Sequence, residues 1–538
     1  MKPFIHRHWS FPNDLNAFGD IVIVQLCVFL VQFIPHGLMT SYRHLLFAVL
    51  LGVFLVPFPV QAAPDAGEPE RPNILFAFAD DWGRHASAYG TEGIETPTFD
   101  RLAKRGVGFK NAFVPVPSCT PVRGSILTGQ HPWRLGPGAN LHSTLPAELP
   151  VYPWMLEEQQ NYVIGHQPKG WGPGDYKAGG RTKRPAGPRY DSFEAFMKER
   201  PDDRPFCFWF GTTDPHRPYS DDLRKKMGID PSDVDVPPYL PDVPVVRKDI
   251  ANYYAEVQRF DRQVGQALER LEEAGELENT LVVMTGDHGM PFPRAKSNLY
   301  DAGTHVALAI AGPMVAQRDE MVTDFVSLVD LGPTFLEAAG VSPTDGMTGR
   351  SLMDILTRAG TGQVAAHRSH VITGKERHHG LARPGGKGYP SRAIRTENYL
   401  YIRNYKPNRW PAGAPNISSS QWILSDQGDG PTKRWMIEHA NDPGVRELFR
   451  LSFAKRPAEE LYHVKEDPYQ MDNLAEQNRY QPIKHHLSRT LTRELRALGD
   501  PRETGAPVTF DEAKYRVGYG SEKVEVPEPV RKALNLDQ

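Results

Sequence analysis

The sequence predicts an α/β protein: a mostly parallel sheet sandwiched by helices, followed by a smaller C-terminal α+β domain. Three observations carry this. Apolar runs at 73–78 (NILFAF), 206–210 (FCFWF) and 281–284 (LVVM) read as buried strands. A helical repeat separates the last two, because Ile250, Tyr253, Tyr254, Val257, Phe260, Val264, Leu268 and Leu271 recur at three and four residues. Helix followed by buried strand is the pattern of a mostly parallel sheet. After about residue 380 the pattern changes to short strands and one basic amphipathic helix.

From the N-terminus, residues 1–62 read as a leader. Apolar runs fall at 21–35 and 45–60, and neither is a clean span of about 20 residues. The second has the form of a secretory signal starting at Met39. Arg43 and His44 precede its apolar region, and Val60-Gln61-Ala62 ends it as a small-residue cleavage site. An uncleaved membrane anchor is the alternative. Residues 63–71 are a polar linker. The larger domain is expected over 72–380 and the smaller over 381–538. This leader predicts a secreted or periplasmic protein without stable membrane association once it is removed.

Composition narrows the class. The chain has 538 residues, is 40% hydrophobic and 24% charged, and carries a formal net charge of −3. That is ordinary globular composition, which excludes disorder as the main state. The charge balance disfavours a nucleic-acid binder. Three cysteines cannot make a disulfide framework. Without the leader only Cys119 and Cys207 remain to pair.

Each predicted strand of the larger domain delivers acids or histidine just past its end. Asp80 and Asp81 follow the first, Asp214-Pro215-His216 the second, and Asp287-His288-Gly289 the third. In open α/β sheets the carboxyl edge is where ligands bind. In the C-terminal part, residues 392–403 (RAIRTENYLYIR) read as two strands around a Glu-Asn turn. Glu460-Leu461-Tyr462 begins another strand, and residues 482–498 form the basic helix.

Residues 117–129 read PSCTPVRGSILTG. The core Cys119-x-Pro121-x-Arg123, followed by Leu127-Thr128-Gly129, resembles the signature of type I sulfatases. The resemblance implies an alkaline-phosphatase-like fold and oxidation of Cys119 to formylglycine by a formylglycine-generating enzyme. Hydrated formylglycine carries two hydroxyls on one carbon. One attacks sulfur and displaces the leaving alcohol or amine, and the other then expels sulfate as the aldehyde re-forms. A divalent cation lowers the hydroxyl pKa and polarises the sulfate oxygens.

The resemblance places the remaining roles residue by residue. Asp80, Asp81, Asp287 and His288, with residue 119, match the metal ligands, His288 standing where many members have Asn. Oxygen-dominated ligands favour calcium, while the imidazole leaves the metal identity open. His216 and Lys296 match sulfate-contacting residues, and Arg123 matches the arginine that holds residue 119. One motif departs. Gly-Lys-x-His is usual after the second strand, but residues 165–173 read GHQPKGWGP. Lys169 takes the lysine role and Trp171 stands in the histidine slot. His166 is a spatial substitute to consider, and His216 is the better general-acid candidate.

Residues 202–217, the stretch 286–303 (GDHGMPFPRAKSNLYDAG) and residues 389–404 are similar to the heparan N-sulfatase branch and its bacterial relatives. That implies a sulfated sugar substrate, N-sulfoglucosamine of heparan-type glycans in particular. A basic run over 367–395 with Glu376 as its one acid suits a polyanion. Within it, Glu376 and His378 are candidates to contact the sugar. Three alternatives stay open: an O-sulfatase on another polysaccharide, phosphoester or phosphonate hydrolysis on the same fold, and a catalytically silent glycan-binding protein.

Overall fold

The first strand, β1 (Asn73–Ala79), is buried along its whole length because both of its faces are covered. Its side chains alternate between two cores. Leu75, Ala77 and Ala79 enter one, and Ile74, Phe76 and Phe78 enter the other. This is why the run reads as continuously apolar rather than alternating. The structure is a computed structural model and describes residues 71–537, apart from 319, 420, 421 and 519. The leader, and the linker through residue 70, lie outside the described residues.

Six further strands complete the large sheet: β2 (Val107–Phe113), β3 (Val163–Gln167), β4 (Phe206–Gly211), β5 (Thr280–Gly286), β6 (Leu308–Ala311) and β7 (Val322–Ser327). Their order is β3-β4-β1-β5-β6-β2-β7. Every pairing is parallel except those of β6, which runs against β5 and β2. The three strands read from sequence are β1, β4 and β5, side by side at the centre.

Helices cover both faces. On one lie α1 (Pro97–Arg105) and the core-facing side of α3 (Pro244–Glu273), with Phe99, Leu102, Val257, Phe260 and Val264 in the first core. On the other lies α2 (Cys119–Thr128), whose Val122, Ile126 and Leu127 enter the second core. Helix α3 spans the expected 250–271 and begins earlier, because Pro244 at its first turn needs no N–H partner and fixes a helical φ.

The smaller sheet contains β8 (His370–Lys375), β9 (Ser391–Thr396), β10 (Tyr399–Asn404) and β12 (Glu459–His463), all antiparallel. A separate ribbon pairs β11 (Ile417–Ser419) with β13 (Ser521–Lys523). Helix α4 (Gln481–Ala497) lays Leu487, Leu491 and Leu495 against Ile394, Tyr401 and Leu461. The sheet starts at His370, so the boundary expected at 380 falls inside it. The two halves also share cores. Leu424, Met436, Phe449, Phe453 and Val530 belong to the first core of the large sheet, and Trp133 belongs to the core of the small one.

Candidate active site

Strands β1 and β5 are in register with Ala79 opposite Gly286, so the residues after them emerge side by side. The Asp287 N–H donates to the Ala79 carbonyl (3.1 Å), and the Asp81 N–H donates to Asp287 Oδ1 (2.8 Å). Asp81 has φ of 73°, an uncommon conformation for a residue with a Cβ. It aims the carboxylate back into the cluster instead of along the strand.

Cys119 opens α2 and meets these acids from the facing side. Its Sγ lies 3.2 Å from His288 Nε2. One ligand atom from each of Asp81, Cys119, Asp287 and His288 falls within 4.8 Å of the others, and all four residues are buried. His288 Nδ1 lies 3.1 Å from the Gly289 carbonyl, which only accepts, so this nitrogen carries the proton. Nε2 then presents a lone pair 3.3 Å from Asp81 Oδ1. Asp80 stands beside this group, and its buried Oδ1 has no hydrogen-bond partner among the described residues, with Arg123 Nη2 3.6 Å away. Converging acids, a ligating imidazole tautomer and a carboxylate oxygen without a hydrogen bond fit a divalent cation. Without one, clustered carboxylates are costly.

Three cations surround the acids. Lys169 pairs with Asp80, and Lys296 Nζ donates to both Asp81 oxygens (2.7 and 2.9 Å). Arg123 donates through Nε and Nη2 to Asp287 Oδ2 (3.2 and 3.1 Å). Its Nη1 donates to the carbonyls of Lys169 and Gly170 (3.0 and 3.1 Å). Arg123 therefore ties the nucleophile helix to the lysine loop and β5, where a direct hold on residue 119 was expected. His216 is more open: its side chain is 44% exposed, with Nε2 4.0 Å from Asp81 Oδ2. Its Nδ1–H donates to the Arg217 carbonyl (2.7 Å).

Electrostatics follow the geometry. Burial pushes the Asp80 carboxyl up, but Lys169 and Arg123 override it and hold it well below its usual value. Burial raises the Cys119 thiol far above its usual value, so unmodified Cys119 is a poor nucleophile. Lys296 loses from burial and gains more from Asp81, so it is raised and stays charged.

Three expectations are corrected. Glu376 does not face a sugar: its carboxylate accepts from Arg392 Nη2 (2.7 Å) and from Arg502 Nε and Nη2 (2.8 and 2.6 Å). The basic run around it is largely an internal ion network. Arg368 pairs with Asp330 and Asp354, Lys375 and Arg383 with Asp426, and Arg395 with Asp301. His166 is turned away, with Nδ1 3.0 Å from the Gly187 carbonyl. Trp171 packs on α2, where a Cβ at Gly124 would sit 3.6 Å from its indole nitrogen. His378 does belong near the centre, as its Nδ1 lies 2.8 Å from Oγ of Ser118, the residue before Cys119.

Sequence reasoning missed His142. Its N–H donates to Thr120 Oγ1 (3.3 Å), and Ser143 bridges Gly174 beside the Trp171 loop. Burial lowers its imidazole to about 4, with His379, Lys169 and Lys296 lowering it further. No motif spacing marks it.

A mostly parallel α/β sheet with a buried cluster of acids, histidine and cysteine at its carboxyl edge defines a hydrolase built on the alkaline-phosphatase-like architecture. A sulfatase family model matches residues 72–187 and 188–341, just over half of the chain. The chain belongs to the sulfatase family, and its activity is that of a sulfuric ester or sulfamate hydrolase. It is 28% identical over 480 residues to an ulvan-active sulfatase of Formosa agariphila, covering 80% of this chain and 76% of that one. It is 29% identical over 477 residues to human N-sulphoglucosamine sulphohydrolase, covering 80% and 91%. The fold matches that of BT1596, a 2-O GAG sulfatase, with a TM-score of 0.55 at 20% identity, covering 81% and 94%. Together these relatives support sulfatase activity on sulfated glycans.

Proposed function

We propose that the protein removes the N-sulfo group from a glucosamine residue of a heparan-type glycan. One arrangement carries the reading. Cys119 stands at the start of a buried helix, inside a cluster of acids and histidine, with Lys169 and Lys296 beside it. The nucleophile is formylglycine made from Cys119 by a formylglycine-generating enzyme. A divalent cation, calcium by the oxygen-rich donor set, would be held by Asp80, Asp81, Asp287, His288 and residue 119. When bound, it supplies charge stabilisation for the sulfate oxygens and a lower pKa for the attacking hydroxyl.

The chain's own groups do the rest. Lys169 and Lys296, which pair here with Asp80 and Asp81, grip the sulfo oxygens. Arg123 fixes the distance between α2, the Lys169 loop and Asp287, so nucleophile and sulfo group meet in one geometry. His216, half exposed with its Nε2 directed at the cluster, holds the proton for the departing amine. His378 orients Ser118 and, through it, the first turn of α2. We further propose that the signal segment delivers the protein to the periplasm or outside the cell. Among the described residues no helix is long and apolar enough to cross a membrane.

The human relative's name supports the N-sulfated substrate. The ulvan-active relative, at nearly equal identity, supports a second reading as an O-sulfatase of another polysaccharide. Incubation with N-sulfated and with 6-O-sulfated glucosamine separates them. Free amine from the first is expected, and sulfate released from the second alone overturns the proposal. The mass of the tryptic peptide 111–123 tests the nucleophile: an aldehyde in place of the thiol is expected.

A further inference from the structure

A cavity of about 490 Å³ opens directly off the cluster, with Asp81, Lys296 and His216 at its inner end. Its size is that of a small-molecule site. Most of its charge is already spent. Arg217 makes a two-pronged pair with Asp249 (2.7 and 2.8 Å), and Asp249 also accepts from Thr432. Three groups on its wall are not spent in this way. Tyr219 Oη and Asn252 Oδ1 are buried and have no hydrogen-bond partner among the described residues, and Nε of Arg217 on the same wall is likewise unpartnered. Asp429 keeps its side chain 26% exposed and pairs with the exposed Arg434, whereas Asp81 and Asp249 are sealed.

Leaving a buried polar atom unsatisfied costs about 1–3 kcal/mol, so three on one wall point to a ligand that supplies the missing partners. The amide oxygen and the carboxylate are acceptors, and the phenol can serve as either partner. A wall that offers these acceptors together with the Arg217 Nε–H donor takes hydroxyls, which serve as both partners. We propose that Tyr219, Asn252 and Asp429 form the subsite for the sugar ring, reading its free hydroxyls. The inference rests on the reading of the centre as a sugar sulfatase, and adds which residues choose the sugar.

The test compares kcat/KM for N-sulfoglucosamine, 6-O-sulfoglucosamine without an N-sulfo group and 4-nitrophenyl sulfate in the wild type, Tyr219→Phe, Asp429→Ala and Asp429→Asn. The aryl sulfate reports the reacting centre and cannot supply sugar hydroxyls. The ratio of sugar to aryl kcat/KM is expected to fall about tenfold in Tyr219→Phe and Asp429→Ala, mainly through KM, one hydrogen bond to a buried or charged group being worth about that much. Asp429→Asn, which keeps an acceptor, is expected to recover part of the loss. An unchanged ratio in both Tyr219→Phe and Asp429→Ala, or parallel loss on all substrates, overturns the proposal. A wild type that prefers a 6-O-sulfated sugar overturns the N-sulfatase reading alone, and the subsite is then judged by the same ratio on that sugar. A wild type active on the aryl sulfate and on no sugar overturns both.

Discussion

Arg123 has no exposed surface, and its guanidinium spans three segments at once. A lysine keeps the charge but cannot reach Asp287 and two carbonyls from a single ammonium. Arg123→Lys is expected to lower kcat at least a hundredfold with little change in KM, because positioning and not sulfate binding is lost. Steady-state kinetics on an aryl sulfate check this, and a comparable rise in KM would contradict it. At this scale the sequence was most legible where chemistry sits next to a strand end. Asp80, Asp81, Asp287 and His288 each follow a buried run, and Cys119 opens a motif. It was least legible in the basic run around Glu376. Whether charges face water or each other depends on partners far away in the chain, here Arg502, Asp500 and Asp426. His142 comes to Thr120, the residue after Cys119, by a loop whose path no local pattern encodes.

Helix α1 starts with a proline and lacks a cap from its own N-cap side chain. Its first N–H groups are satisfied from α3 instead: the Thr98 and Phe99 N–H donate to Asp261 (3.0 and 2.9 Å). Burial pushes the Asp261 carboxyl up from 3.8 to about 6, and these two N–H bonds oppose the shift without cancelling it. The folded chain therefore holds this proton more tightly than the unfolded chain. Its contribution to stability is present below about pH 4 and is lost as pH rises toward 6, by at most about 3 kcal/mol. Asp261→Asn keeps an acceptor and removes the titration. Urea unfolding at pH 4.5 and 7 is expected to show a smaller pH difference for the variant than for the wild type, and equal differences would refute the assignment. The 3.6-residue period of α3 was visible in sequence because the core takes a continuous stripe from it. That α3 also caps α1 was not, since the link joins residues 162 and 163 apart.

Across the whole molecule, the smaller sheet is an extension of the larger body more than an appended module. Asp426 shows the coupling: it is fully buried, accepts from Arg383 Nη2 and the His379 N–H, and lies 3.4 Å from Lys375 Nζ. Asp426→Asn leaves two buried cations without a counter-charge and is expected to cost about 3–5 kcal/mol, read as a lowered melting temperature. A melting temperature within a degree of wild type would show that the network is dispensable. The strands of the small sheet were legible from their alternation. Its shared cores were not, because residues near 424–453 carry no local sign of the sheet they join. The same closure bears on the order of events in biosynthesis. Cys119 is 3% exposed beneath acids, lysines and the Trp171 loop. On the proposed reading of residue 119 as formylglycine, an enzyme that rewrites this side chain must reach it while the polypeptide is still open, so maturation is a race against folding, and a chain that closes first traps its thiol. Native protein made without the maturation enzyme should resist alkylation at residue 119 until urea is added, whereas rapid labelling of the folded form would show a door that this structure keeps shut.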